Sequence, residues 1–200
     1  MKGSVVKKGT EKVVYLNGRD AVSVSNVDLD SRLESSEEWN EARYLLSDIA
    51  HYFIPDSFPK HLEYRKLFRD GRAGIVRNFM MRREQIEGEH PPDENYDSIL
   101  KNLYDQMDAI GIQPLAIDKF RMNFVLKKIG EEEKLVYVDT LDPIRVTGYQ
   151  DSRCIMSLNV DVTKLRQAIG KILDEKQRTE LMVKLNRYTE LIDLLFAKFT

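Results

Sequence analysis

The chain begins with short runs of alternating apolar and polar residues and changes to helical periods further on. Ser4-Val5-Val6-Lys7 reads as a strand that turns at Gly9 and continues as Lys12-Val13-Val14-Tyr15-Leu16. Asn17-Gly18 is a two-residue turn signal, since both residues tolerate the positive φ of a type I′ hairpin. Ala21-Val22-Ser23-Val24-Ser25 then alternates with period two, as a strand buried on one face does. Ser35-Ser36-Glu37-Glu38 fits a capping box, in which a serine oxygen and a glutamate three residues later satisfy the first free amides of a helix. Trp39, Ala42, Leu45, Leu46, Ile49 and Phe53 recur on one helical face, and Pro55 ends that helix.

Leu67-Phe68, a turn at Asp70-Gly71 and Ala73 to Met81 suggest a hairpin. A polar segment follows from Glu84 to Asn95, where Pro91-Pro92 excludes regular structure. Ile99, Leu100, Leu103, Tyr104, Met107 and Ile110 keep the 3.6-residue period of a second helix, with Gly111 suited to its C′ position. After Pro114 comes an irregular loop. A hairpin is expected from Phe124 to Ile129, turning over Gly130 to Glu133 and returning through Leu135 to Val138. Two amphipathic helices close the chain, one with Val162, Leu165, Ile169 and Leu173, the other with Leu181, Leu185, Tyr188, Ile192, Leu195 and Phe199. The expected order is strands, helix, hairpin, helix, hairpin, helices: a single α+β domain.

Composition narrows the function classes. With 42% hydrophobic and 32% charged residues, the 200-residue chain has material for both a core and a solvated surface. Its 31 basic and 33 acidic residues give a net charge of -2, which disfavours nucleic acid as the partner. Cys154 is the single cysteine and forms no intrachain disulfide. The start, Met1-Lys2-Gly3-Ser4, shows no secretory h-region, and the late apolar run Leu191 to Phe196 is far too short to cross a bilayer. A cytoplasmic protein without a membrane partner is expected. His51, His61 and His90 lack zinc-ligand spacing with each other or with Cys154.

One polar constellation carries candidate chemistry. In Ile117-Asp118-Lys119-Phe120-Arg121-Met122-Asn123 an aspartate precedes an asparagine by five residues, on the loop before a hairpin. Leu135-Val136-Tyr137-Val138-Asp139 brings a second aspartate to the end of the return strand. In phosphoryl transfer an enzyme chiefly positions groups and neutralises charge. A loop aspartate can orient an acceptor hydroxyl, while an asparagine oxygen and a carboxylate hold Mg²⁺ across phosphates.

In these residues the chain resembles the protein-kinase-like superfamily, and specifically the small bacterial kinase-like proteins of the PhoP regulatory network family. Asp118-x4-Asn123 is similar to the catalytic loop, and Asp139 to the metal-binding aspartate. Gly9-Thr10-Glu11-Lys12 resembles the start of a phosphate loop, and Glu41 the helix glutamate that pairs with a strand lysine. The resemblance implies a reduced protein-kinase-like fold, with a small β-rich lobe over about 1–83 and a short helical lobe over 84–200. It also implies ATP and Mg²⁺ as cofactors, with Asp118, Asn123 and Asp139 catalytic and Asn123 and Asp139 on the metal. Gly9, Thr10, Lys12 and Glu41 would contact the nucleotide. The sequence departs from the pattern where Ser23 replaces the strand lysine, Ala116 the loop histidine, and Asp139-Thr140-Leu141 the usual Asp-Phe-Gly. Lys12, on the neighbouring strand, is the candidate replacement cation.

Three readings stay open: a phosphotransferase of unknown acceptor, a pseudokinase with a regulatory binding role, and an interaction protein whose C-terminal helices dock a partner. Arg77, Arg82 and Arg83 read as solvated strand positions rather than a binding patch.

Overall fold

In a computed structural model, the described residues are 5–8, 12–16, 19–25, 36–71, 74–130, 132–150 and 153–199. Side chains are described for these except at 5–8, 12, 25, 67–71, 74–78, 95, 149–150 and 153–154. The architecture is mixed α+β, with three antiparallel sheets and four helices among the described residues.

Five strands form the largest sheet: β1 (Val5–Lys8), β2 (Lys12–Leu16), β3 (Asp20–Ser25), β4 (His61–Gly71) and β5 (Gly74–Glu84). They lie in the order β1-β2-β3-β5-β4, so the chain leaves after β3 and returns at the far edge. The excursion is α1 (Glu37–Phe53). Ser36 caps it by accepting the Trp39 N–H, so the cap lies one residue later than the expected Ser35. Ala42, Leu46, Ile49 and Ala50 are fully enclosed, and Tyr44 stacks on Tyr64 of β4. Each such Leu or Ile contributes roughly 1.5–3 kcal/mol relative to exposure. The β4–β5 hairpin is longer than expected, and its turn falls outside the described residues, as does the Asn17-Gly18 turn.

The second helix, α2 (Tyr96–Ala109), buries Leu100, Leu103 and Met107, three of the six residues its period singles out, with Ile99, Tyr104 and Ile110 partly buried against the core. Gly111 beyond it has φ of 89°, the left-handed conformation expected after a helix. A second sheet pairs β6 (Phe124–Ile129) with β7 (Glu132–Tyr137). The expected return to Val138 stops one residue earlier. A third pairs β8 (Ile144–Gln150) with β9 (Arg153–Leu158), in a segment for which no element was expected. The second half of the chain is therefore not merely helical.

The last helices are α3 (Val162–Gly170) and α4 (Glu175–Phe199). Leu181, Leu185, Tyr188, Ile192 and Leu195 of α4 join the same core as α1, α2 and β7. With Leu165 and Ile169 of α3 they are core, whereas Leu173, expected on the same stripe, lies beyond the end of α3 and is exposed. Among the described residues, no helix is long and apolar enough to cross a membrane.

Candidate functional site

Asp118, Asn123 and Asp139 come together because the β6–β7 ladder continues past its ends. Phe124 pairs with Tyr137, and the next backbone bond runs from the Val138 N–H to the Asn123 carbonyl at 2.8 Å. Asn123 closes a short 3₁₀ turn, Arg121–Asn123, that leads into β6; Asp139 lies two residues beyond β7. Asp118 folds onto its own loop. Its Oδ1 accepts the Phe120 N–H at 3.2 Å, an Asx turn, and its Oδ2 accepts from Asn123 Nδ2 at 3.0 Å. That bond engages the amide nitrogen of Asn123 and directs its oxygen away from Asp118. Asp139 Oδ1 accepts the Thr140 N–H at 2.7 Å and the Thr140 hydroxyl at 3.4 Å.

A residue that sequence reasoning missed joins the two loops. Tyr137 is fully buried, with Phe124 and Phe58 rings 5.1 and 6.3 Å from its own. Its hydroxyl accepts the Asp118 N–H and donates to the Thr140 carbonyl. Burial, with the Asp139 and Asp142 charges added, pushes the phenol well above its usual range, so it remains a neutral donor. Within Leu135-Val136-Tyr137 the tyrosine reads only as one more apolar strand residue, and nothing local reveals a partner 19 positions upstream.

Of the nucleotide-contacting candidates, Glu41 is the one whose side chain is described. Gly9 and Thr10 lie outside the described residues. Lys12 pairs with Ser25 in the β2–β3 register, but its side chain is outside the description. Ser23 sits opposite Met81, and its hydroxyl donates to the Met81 carbonyl at 3.4 Å. Glu41 departs from expectation: Arg187 of α4 takes both its oxygens, at 2.8 and 3.2 Å. The packing of α4 along α1 brings a guanidinium fork within bidentate reach. The hydrogen bonds to Glu41 are the main reason that the Arg187 pKa is raised.

The reading of Arg77, Arg82 and Arg83 as solvated strand positions is corrected at its end. Arg82 is substantially exposed and pairs with Asp20 and Glu63. Arg83 leaves part of its surface in solvent, but its guanidinium lies among protein atoms and reaches the Asp139 carbonyl at 3.3 Å. Burial lowers its pKa, against the opposing influence of Asp139.

An open groove of about 640 Å³ lies between residues 84–89 and the β6–β7 hairpin, lined among others by Glu84, Glu87, Gly88, Lys127 and Glu133. None of Asp118, Asn123 and Asp139 lines it. Among the described residues no group of three or more His, Cys, Asp or Glu is arranged to hold a metal. A Mg²⁺ site does not need one, because this ion commonly takes one or two protein oxygens and completes its shell with phosphates and water. The Asn123 amide oxygen and the Asp139 carboxylate are hard donors of that kind.

Neither the family models nor the curated proteins compared with the chain match it.

Proposed function

We propose that the chain is an ATP- and Mg²⁺-dependent phosphotransferase of protein-kinase-like type, with residues 1–83 and 84–200 as its two reduced lobes. The observation that carries this reading is the convergence of Asp118, Asn123 and Asp139 at one end of the β6–β7 hairpin. The order of elements before them supports it: a strand-rich segment with one inserted helix, a second helix, then loop and hairpin.

Each residue has a role in this reading. Asn123 and Asp139 hold Mg²⁺, which neutralises phosphate charge. Asp118 orients the acceptor hydroxyl and receives its proton, with Asn123 Nδ2 and the Phe120 N–H fixing the carboxylate. Tyr137 keeps the two loops in register. Lys12 remains the candidate cation of the phosphate loop.

A second reading, a pseudokinase that binds without catalysis, is favoured by Glu41. With both oxygens bound by Arg187, that glutamate is not poised to orient a cation for ATP. Turnover separates the two readings. Asp118→Ala is expected to leave Mg·ATP binding intact and abolish ATP turnover if the protein is an enzyme. A wild-type protein that binds Mg·ATP without turnover is the pseudokinase.

A further inference from the structure

We propose that Arg83 and His61 form an oxyanion site that takes a phosphate group beside Asp139. The two residues are direct partners on neighbouring antiparallel strands, β5 and β4, so their side chains leave the sheet on the same face. A register shift between His61 and Glu63 leaves Leu62 without a partner, and this bulge sets His61 opposite Arg83. Bulges of this kind re-aim side chains and are frequent beside functional sites.

His61 lacks the partners that its burial demands. His61 is only 6% exposed, and neither ring nitrogen has a hydrogen-bond partner among the described residues. The other two histidines are each engaged: His51 Nδ1 with the Phe58 carbonyl at 2.7 Å, and His90 Nδ1 with the Phe124 carbonyl at 2.8 Å. Arg83 has five N–H donors. One of them reaches the Asp139 carbonyl at 3.3 Å, and the Asp139 charge is the main influence that offsets its desolvation. A desolvated guanidinium beside a buried imidazole with neither ring nitrogen bonded is an unusual pair. A buried polar group left unsatisfied is a place to look for an ion.

A phosphate group supplies what is missing. Its oxygens suit the planar fork of a guanidinium and accept from an imidazole N–H. Among the described residues, the Tyr44 ring packs edge-to-face with His61 at 5.5 Å, Arg83 and His51 are the charged or titratable groups that influence it, and the Asp139 carboxylate acts on Arg83. A phosphate belonging to a bound nucleotide would lie next to Asp139, and that version rests on the function proposed above. A free phosphate does not.

The test follows the His61 ring by NMR at constant ionic strength, with sodium chloride as the control and His61→Asn to assign the signal. Inorganic phosphate, and separately ATP with Mg²⁺, are titrated into the wild-type protein. Inorganic phosphate is expected to shift the His61 resonances and leave those of His90 in place. Arg83→Met is expected to weaken phosphate at least tenfold. Should that variant fail to fold, Arg83→Lys, which keeps the charge but loses the fork, is expected to weaken it at least threefold. Competition of ATP with phosphate at His61 supports the site and identifies the nucleotide as its source. A phosphate response that ATP neither reproduces nor competes with supports a free-phosphate site, and the nucleotide reading then fails alone. Binding of Mg·ATP that depends on Asp139, with a His61 ring that neither ATP nor inorganic phosphate moves, overturns this proposal and leaves the nucleotide reading standing. A ring unmoved by both ligands, or phosphate affinity unchanged in Arg83→Met, overturns it as well.

Discussion

Tyr137 and Asp118 are joined across 19 residues by a hydrogen bond of 3.3 Å, from the Asp118 N–H to a phenol hydroxyl buried in the core. The same hydroxyl donates to the Thr140 carbonyl at 3.4 Å, so one oxygen ties the Asp118 loop to the turn that carries Asp139. Removing it as Tyr137→Phe keeps the ring and its aromatic contacts. The expected loss is about 1–2 kcal/mol in denaturant unfolding, the scale of one or two net hydrogen bonds with a buried partner left unpaired. Turnover is expected to fall more than ATP binding, because the variant changes alignment rather than ligands. Equal losses in both, or no change in stability, would contradict this role.

Two glycines with positive φ separate strain from crowding. Gly130 has φ of 66°, and an added Cβ meets nothing within 4 Å. Gly111 has φ of 89°, and its Cβ would lie 2.8 Å from the Asp161 carbonyl oxygen, backbone that cannot easily move because Asp161 caps α3. Gly130→Ala is expected to cost about 1–2 kcal/mol, the left-handed penalty alone. Gly111→Ala is expected to cost more by another 1–3 kcal/mol, roughly the range for overpacking. Urea melts of the two variants check the order.

His61 gives the pH dependence a sign. Burial first, then Arg83 and His51, lower its pKa to about 3, against a reference value of 6.5. The unfolded chain therefore binds a proton below about pH 6.5 that the native state refuses until about pH 3. The stability present above pH 6.5 falls as pH drops through that window. Between pH 6.5 and 4.5 the contribution is about 2–3 kcal/mol, from roughly 1.4 kcal/mol per pH unit. His61→Asn is expected to flatten that slope. An unchanged slope in the variant would show that His61 is not held neutral.

The Glu41–Arg187 pair makes a smaller claim. Arg187 is 43% exposed at its side chain, so solvent screens the pair despite its bidentate geometry. A double-mutant cycle with Glu41→Gln and Arg187→Met is expected to give a coupling energy of about 1 kcal/mol or less. A coupling several times larger would mean that the pair anchors α4 to α1.

Much of the fold was legible where one period ran for several turns. In α2 the apolar positions Leu100, Leu103 and Met107 are the buried ones, and the β6–β7 hairpin follows its apolar runs. The β8–β9 hairpin was missed although Ile144-Arg145-Val146-Thr147 alternates, with Ile144 buried and Arg145 exposed. Gly148 and the polar stretch Gln150-Asp151-Ser152-Arg153 separate that alternation from Cys154-Ile155-Met156, and each run alone is too short a signal to stand apart from loop. The Asp118–Asn123–Asp139 cluster could be read because sequence spacing and a hairpin suffice to bring it together. Tyr137, Arg83 and the Arg187 partner of Glu41 could not, since each depends on tertiary neighbours distant in sequence. Three arginines on one strand look alike in sequence, yet Arg82 and Arg83 point to opposite faces of β5 and meet opposite environments.

The most direct measurement is the melting temperature of the wild-type protein and of Asp139→Ala, each with millimolar ATP, with and without Mg²⁺. A ligand that binds only the native state at a hundredfold excess over its dissociation constant stabilises it by about 2.7 kcal/mol. The expected result is a rise with Mg·ATP whose metal-dependent part disappears in Asp139→Ala, because that variant removes a charged Mg²⁺ ligand. No shift in the wild-type protein, or an identical metal-dependent shift in Asp139→Ala, would contradict a nucleotide–metal site at Asn123 and Asp139.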